Sequence, residues 1–495
     1  MLLADSKQLI KEVPYMRHLN YILLCMLYIC LLAITGCMVG PNFQSPKTAI
    51  PSSWTGIDGQ KTGAVDLVHW WTQFDDPNLT SLITRAVTSN LDLKQAQSRL
   101  RQARAARRIV SAGLWPTINA TGSYRHSQSA GSAESSGLRS DLWQSGLDAI
   151  WEIDIFGGVR RNVEAAESDI KAAVEDQRDV LITVSSEVAI NYIELRGFQQ
   201  EIVIAQDNLK AQKHTAELTR QRFASGVVSA LDVANADAQV GTTASQIPTM
   251  ETSAQQTIYN ISLLLGLEPA ALLKELSPVG TIPYTPPVLP AELPSDLLRR
   301  RPDIRRAEAQ IHAATARIGV ATADLFPKFN LTGSAGYQSN ALDRMGNSQY
   351  SFWSVGPSID WKIFNAGSVR ANIEIQKALT EQAGLAYQKT VLTALKDVEN
   401  ALVAYNKEQQ RNKALQDTAA ANRKAVDLAT QLYSQGQTEF LSVLDSQRSL
   451  FASEDSLVQS TRNLSTDLVS LYKALGGGWD DEPNSAAEPI SEKKK

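Results

Sequence analysis

The stretch Leu114-Trp-Pro-Thr-Ile-Asn-Ala-Thr-Gly-Ser123 returns with small changes as Leu325-Phe-Pro-Lys-Phe-Asn-Leu-Thr-Gly-Ser334, 211 residues later in the chain. Other identities are kept at nearly the same offset. At 210 residues these include Val159 with Val369, Gly226 with Gly436 and Leu265 with Leu475. One offset shared by several separate stretches indicates that the chain is an internal duplication.

The duplication sets the predicted domain boundaries. They are a signal peptide at 1–36, a first repeat at 37–276, a proline-rich linker at 277–296, a second repeat at 297–478 and a disordered polar tail at 479–495. Because proline fixes φ and lacks a backbone N–H, we expect the linker to be extended and non-helical.

Each repeat is predicted to contain a helix, two strands, a long helix, a turn and a second long helix. The predicted strands are 117–125, 142–154, 328–337 and 352–363, which alternate apolar with polar residues. A soluble sheet with one buried face fits this pattern, and so does the wall of a membrane barrel with its apolar face toward lipid. Since membrane barrels need at least eight strands, the second interpretation requires several chains.

Long helices are predicted to follow each strand pair. Residues 159–224 contain no proline, and a continuous helix there would be about 100 Å long at ~1.5 Å per residue. Apolar residues spaced by three, four and seven indicate a coiled-coil stripe. The chain should return through 264, with a kink or break at Pro248. The second copy should run over 368–434 and return over 438–475.

The amino terminus has the features of an export signal. Arg17 and His18 precede an apolar run, Leu19–Ile34, and the segment Leu32-Ala-Ile-Thr-Gly-Cys37 follows. This ending resembles a bacterial lipoprotein box, which implies that Cys37 is lipidated and becomes the first mature residue. Either Met1 or Met16 could be the start.

Composition argues against several functions. The formal net charge of −4 is too mild to suggest nucleic-acid binding. We find no nucleotide-binding loop, metal-ligand spacing or nucleophile motif, so we expect no enzyme activity, cofactor or metal.

Four stretches together resemble the TolC family of outer-membrane efflux channels, in the lipoprotein branch that serves RND-type drug pumps. They are Trp70-Trp71 with Asp76-Pro77-Asn78-Leu79, Asn90-Leu-Asp-Leu93, Leu297-Leu-Arg-Arg-Arg-Pro-Asp-Ile304, and Tyr433-Ser-Gln-Gly436 followed by Val443-Leu-Asp445 and Gln447-Arg448.

The resemblance implies an α+β homotrimer. Twelve strands, four from each chain, would form one barrel in the outer membrane, and the long helices would continue it as a coiled-coil tunnel through the periplasm. The channel would receive drugs or other small toxic compounds from an inner-membrane RND-type transporter through a periplasmic adaptor, the membrane fusion protein. Cys37 would hold it to outer-membrane lipid.

The resemblance also assigns site residues. Leu441, Asp445 and Arg448 would form the periplasmic gate, in which three aspartates would concentrate negative charge. The turns at Gly226 and Gly436 would be the tips that dock the adaptor. Without the resemblance, Asp445 and Arg448 are better explained as a solvated i,i+3 pair.

Two alternatives to the drug-efflux channel stay open at this point. One is a channel for type I protein secretion, and the other is a periplasmic coiled-coil lipoprotein that forms no channel. The second has no need of four alternating strands. The segment Arg299–Asp303 is interpreted as structural, because Pro302 and Asp303 suit the start of a helix.

Overall fold

The computed structural model describes residues 38–55, 62–63, 66–130, 139–283, 289–290 and 294–480. The predicted signal peptide and Cys37 lie outside these ranges. The chain divides into two compact units. Unit 1 contains the residues up to Pro46 with Arg101–Ala172 and Ala307–Tyr387, and unit 2 contains Lys47–Leu100, Ala173–Arg306 and the residues from Gln388 onward.

The elements follow the predicted order. The helices are α1 Pro77–Ser89, α2 Leu91–Ala112, α3 Gly158–Ala224, α4 Ala230–Leu264, α5 Leu273–Leu276, α6 Pro294–Arg300, α7 Pro302–Ala323, α8 Ser368–Ser434 and α9 Phe440–Ala474. The strands are β1 Thr62–Gly63, β2 Thr117–Gln128, β3 Arg139–Ile153, β4 Leu289–Pro290, β5 Lys328–Ser339 and β6 Ser351–Asp360. Short 3-10 helices cover Trp70–Phe74, Leu342–Arg344 and Ser348–Tyr350.

Unit 1 contains an antiparallel sheet in the order β2-β3-β5-β6, so all four predicted strands are confirmed. Its apolar side chains are exposed within the described chain: Trp353 is 78% exposed and Leu147 is 55% exposed. A sheet in a soluble monomer would bury such a face. Large apolar patches that stay exposed instead mark interaction surfaces or membrane contact.

The long helices match their predicted bounds within two residues at each end. α3 and α8 each contain 67 residues. Pro248 lies inside α4, which continues to Leu264, so the proline does not end the helix. Among the described residues, no helix is both long enough and apolar enough to cross a membrane.

Unit 2 has an aromatic core beside the end of α9. Trp70 is fully buried and stacks on Tyr472, with ring centroids 5.4 Å apart. Trp479 is also buried, and the guanidinium of Arg178 lies 4.1 Å from its ring centroid. The prediction that a disordered tail begins at residue 479 is therefore wrong, because the Trp479 indole is buried in the core.

The linker between the repeats is also shorter than the sequence predicts. α6 begins at Pro294, two residues before the predicted end of the linker. Proline is favourable in a first helical turn, where its missing N–H would have no intrahelical acceptor. Residues 284–288 and 291–293 lie outside the described part of the chain.

Candidate gate at the hairpin turns

Both hairpins turn at a glycine in the left-handed conformation. Gly226 has φ +75° and Gly436 has φ +72°. Each glycine N–H donates to a carbonyl three residues earlier, Gly226 to Phe223 and Gly436 to Tyr433, both at 2.9 Å. These bonds belong to Schellman motifs, which end helices where a left-handed residue is tolerated. The two repeats therefore end their long helices by the same local chemistry.

The three predicted gate residues lie on the first turns of α9. Leu441, Asp445 and Arg448 are separated by four and three positions, so they share one face of the helix. Leu441 is 53% exposed, and Asp445 is exposed as well. The structure therefore brings the three residues into one exposed stripe beside the turn at Gly436.

Arg448 has a partner that the sequence did not indicate. Its Nε donates to Oε1 of Gln239 on α4 at 2.7 Å, and Gln239 is buried. The structure thus shows Arg448 bonded to Gln239 and not paired with Asp445. Arg448 links the second hairpin to the first. Gln239 is 209 positions away, which is why no local pattern identified it.

The first repeat does not reproduce the acidic position. Leu231 is 67% exposed, and its counterpart Leu441 is similarly exposed at 53%. Asp232, however, forms a capping box with Ser229: its carboxylate accepts from the Ser229 N–H at 3.0 Å. Because this carboxylate is engaged at the start of α4, Asp232 is not a counterpart of the exposed carboxylate of Asp445.

A small apolar core fixes the hairpins next to the turns. We call it the tip cluster. It consists of Ala216, Ala236, Tyr433, Phe440, Val443 and Leu444. The Tyr433 hydroxyl lies 3.2 Å from Oγ1 of Thr219. Arg222 lies over the Tyr433 ring at 4.6 Å and donates to the Tyr433 carbonyl.

Buried polar pairs join α3 to α9 beyond the tip cluster. We call them the polar ladder. They are Thr215–Gln447 at 2.9 Å, Asn208–Glu454 at 3.1 Å and Glu201–Arg462 at 3.4 Å. On α3 the partners are seven residues apart, which is the repeat of a coiled coil. Because a buried polar pair is satisfied only in one alignment, the ladder fixes the register of α9 on α3.

The Glu201 pair has unusual electrostatics. Burial raises the pKa of Glu201 to about 7, against the lowering effect of Arg462 and with a further rise from Asp455. Gly197 permits this contact, because a Cβ at that position would lie 2.7 Å from Cδ of Arg462. Glu201 therefore gains or loses its proton near neutral pH.

The arginine-rich segment before α7 is structural, as predicted. Arg301 donates to both carboxylate oxygens of Asp303, at 3.0 and 2.6 Å, and to the Ala474 carbonyl at 3.0 Å. It thereby joins the start of α7 to the end of α9. Within the described ranges, no group of three or more His, Cys, Asp or Glu side chains could hold a metal ion.

Comparisons with known proteins agree with this architecture. The family described as outer membrane efflux protein matches the chain twice, over residues 82–267 and 293–477. The pyoverdine export outer membrane protein OpmQ of Pseudomonas aeruginosa is 33% identical over 480 residues, which is 95% of this chain and 99% of that protein. Nodulation protein T of Rhizobium leguminosarum bv. trifolii is 31% identical over 449 residues, covering 91% and 96%.

A solved structure of the outer-membrane channel OprN has the same fold. It matches with a TM-score of 0.85 and 37% identity, and covers 90% of this chain and 100% of that one. The predicted efflux-channel family and outer-membrane location are confirmed by these matches. Both repeats carry the family's sequence features, and the chain belongs to the outer membrane efflux protein family.

Proposed function

We propose that three copies of this chain form the exit channel of a tripartite efflux pump, with Leu441, Asp445 and Arg448 as its periplasmic gate. The channel conducts drugs or other small toxic compounds passively from an inner-membrane RND-type transporter and its adaptor to the exterior. It catalyses no reaction, and the pump's energy comes from the transporter.

The exposed apolar face of the sheet carries the proposal. β2 and β6 are the two edges of a four-stranded sheet, and each edge has unpaired backbone groups that another chain can pair. Closing such a sheet around a lumen leaves the apolar side toward lipid and removes both edges. A coiled-coil lipoprotein without a channel gives this face no role. Relatives such as OpmQ are named for pyoverdine export, which favours small-molecule efflux over type I protein secretion.

The exposure of Asp445 supports the gate assignment. In a trimer, three copies of this carboxylate would face one another beside the turns, in the narrow end of the tunnel. Concentrated negative charge there attracts cations and repels anions. The Arg448–Gln239 bond would hold the hairpins together in the closed state, and opening would break it. The turns at Gly226 and Gly436 would dock the adaptor, and lipidated Cys37 would anchor each chain.

Single-channel conductance tests this proposal. The purified protein, Asp445→Ala and the control Asp417→Ala, which removes an exposed carboxylate on α8, are compared in planar bilayers. We expect small, cation-selective currents from the wild type and the control. Asp445→Ala should have higher conductance and weaker cation preference. Identical currents from all three proteins would refute the gate, and no current from a folded trimer would refute the channel.

A further inference from the structure

The segment that follows Cys37 lies against unit 1. We call residues Met38–Pro46 the strap. The Val39 N–H donates to the Phe156 carbonyl at 3.1 Å. The Phe43 ring stacks on the imidazole of His312, with centroids 4.4 Å apart and planes 9° from parallel. A backbone hydrogen bond and a ring stack therefore both hold the strap. The strap is packed against unit 1 and is not a loose tether.

Arg161 is the main polar contact of the strap. Its side chain is 3% exposed and lies at the start of α3. Its Nε donates to the Val39 carbonyl at 3.1 Å, and its Nη2 donates to Oδ1 of Asn42 at 2.7 Å and to the Gly40 carbonyl at 3.4 Å. Its remaining arm donates to Glu164 at 2.8 Å. Most of the hydrogen bonds that this buried guanidinium donates thus go to three strap residues.

Three glycines allow the strap to approach this closely. Gly40 has φ +89°, and a Cβ there would lie 2.5 Å from Cα of Gly319. Gly157 has φ +78°, and its Cβ would lie 2.8 Å from Cα of Met38. A Cβ on Gly319 would also lie 2.8 Å from Cδ of Arg161. Backbone-to-backbone packing at this distance is possible only without side chains, so the docking surface is built for the strap.

Glu164 connects the two parts of the docking surface. Its carboxylate accepts from Arg161 and also lies 2.9 Å from Nε2 of His312, the ring on which Phe43 stacks. At the far end of the strap, the Ser45 hydroxyl donates to Glu308 at 2.5 Å. The contacts therefore continue over most of the strap's length.

We propose that Arg161 is the positioning residue for the lipid anchor: it docks the strap so that Met38, the residue that follows acylated Cys37 in the chain, is held against Gly157. This inference rests on the proposed lipidation of Cys37. Gly157 lies between the end of β3 and the start of α3, where the chain passes from strand to helix. The acyl chains would therefore enter the membrane next to the point where the barrel wall ends, rather than anywhere that a free tether could reach.

Chymotrypsin cleavage after Phe43 tests the inference in the full-length, detergent-purified protein. This cut releases residues 37–43 and leaves a chain that begins at Gln44, so mass spectrometry measures both the cleavage rate and the acyl mass on the released peptide. The variants are Arg161→Ala, Arg161→Lys, Asn42→Ala and Cys37→Ser. Arg107→Ala is the control, because Arg107 is exposed and pairs with Glu167, away from the strap contacts.

We expect cleavage to be at least about tenfold faster in Arg161→Ala, because local opening of the strap governs access of the protease. Arg161→Lys should restore part of the protection. Asn42→Ala removes only the strap's side of the contact and should also accelerate cleavage, even if Arg161→Ala fails to fold. The control should match the wild type. Cys37→Ser should stay protected, because the strap docks without lipid.

The outcomes separate this inference from the proposed function. Equal cleavage rates in the wild type, Arg161→Ala and Asn42→Ala, with acyl mass present, would overturn the positioning role alone. Loss of protection in Cys37→Ser would also overturn it, because lipid rather than Arg161 would then hold the strap. A wild-type peptide without acyl mass would overturn the lipidation of Cys37 together with this inference.

Discussion

Replacing Glu201 with glutamine should change how stability depends on pH. Glu201 is one of the three α3 residues in the polar ladder, where it pairs with Arg462, and it is 6% exposed. Burial raises its pKa from 4.5 to about 7, because the charged carboxylate loses more hydration than Arg462 restores. Glutamine keeps the shape and can still accept a hydrogen bond from Arg462, but it cannot titrate.

The sign and size follow from proton linkage. The folded chain binds the Glu201 proton more tightly than the unfolded chain, so the free energy of unfolding falls as the pH rises from 4.5 to about 7. At ~1.4 kcal/mol per pKa unit, this loss is about 3 kcal/mol per chain. Glu201→Gln should remove it, so the variant gains stability relative to the wild type as the pH rises through this window.

Guanidinium titrations followed by circular dichroism, at several values between pH 5 and pH 8, measure the effect. The control is Glu217→Gln, whose carboxylate is 58% exposed and pairs with Arg220. The control should follow the wild type at each pH. A difference between Glu201→Gln and the wild type that stays constant across the range would refute the argument, because it would mean that Glu201 has an ordinary pKa in the folded chain.

Two further substitutions test the packing of unit 2 in the same titrations. Tyr433→Phe should cost about 1 kcal/mol, because it removes the buried hydroxyl beside Thr219 and keeps the ring in the tip cluster. Trp479→Ala should cost about 3 kcal/mol or more, because it empties a buried site over which Arg178 lies. Unchanged stability in Tyr433→Phe would mean that the hydroxyl contact contributes nothing. Unchanged stability in Trp479→Ala would mean that the packed chain ends before Trp479.

The parts of the fold that depend on local pattern could be predicted from the sequence. Strand alternation and helix periodicity are properties of neighbouring residues, and the duplication supplied each pattern twice. Hence the sequence predicts α8 with its observed ends, 368 and 434. Gly226 and Gly436 were identified as turns because left-handed backbone favours glycine wherever it occurs.

Contacts between distant residues could not be predicted in this way. Arg448 pairs with Gln239, and Arg462 with Glu201, across more than two hundred residues. Periodicity shows which face of a helix is apolar, but it does not show which polar residues on two helices will meet. The polarity of the tail similarly concealed Trp479, because one aromatic residue among polar neighbours has no period.

The two hairpin turns differ in what an opening motion must break. α4 starts with the Ser229 capping box, whereas the residue before α9, Glu439, makes no capping bond with its side chain. α9 is held instead by burial of Phe440 and its neighbours in the tip cluster. Four large side chains of that cluster come from α8 and α9, and at about 1.5–3 kcal/mol each their exposure would cost about 6–12 kcal/mol.

Separating the first hairpin from the second at the turns breaks both apolar and polar contacts. The cluster residues from α3 and α4 are Ala216 and Ala236, each contributing a single methyl group of about 0.8 kcal/mol. The Arg448–Gln239 bond and the bond from Arg222 to the Tyr433 carbonyl each add about 1.5–3 kcal/mol, as hydrogen bonds to charged groups do. The Thr219–Tyr433 contact adds about 1 kcal/mol. Opening of the proposed gate between the hairpins must therefore break these three polar contacts, and it would also strain the Thr215–Gln447 pair next to Ala216. The other two pairs of the polar ladder, Asn208–Glu454 and Glu201–Arg462, lie farther along α3 and would keep the register of α9 as the hinge.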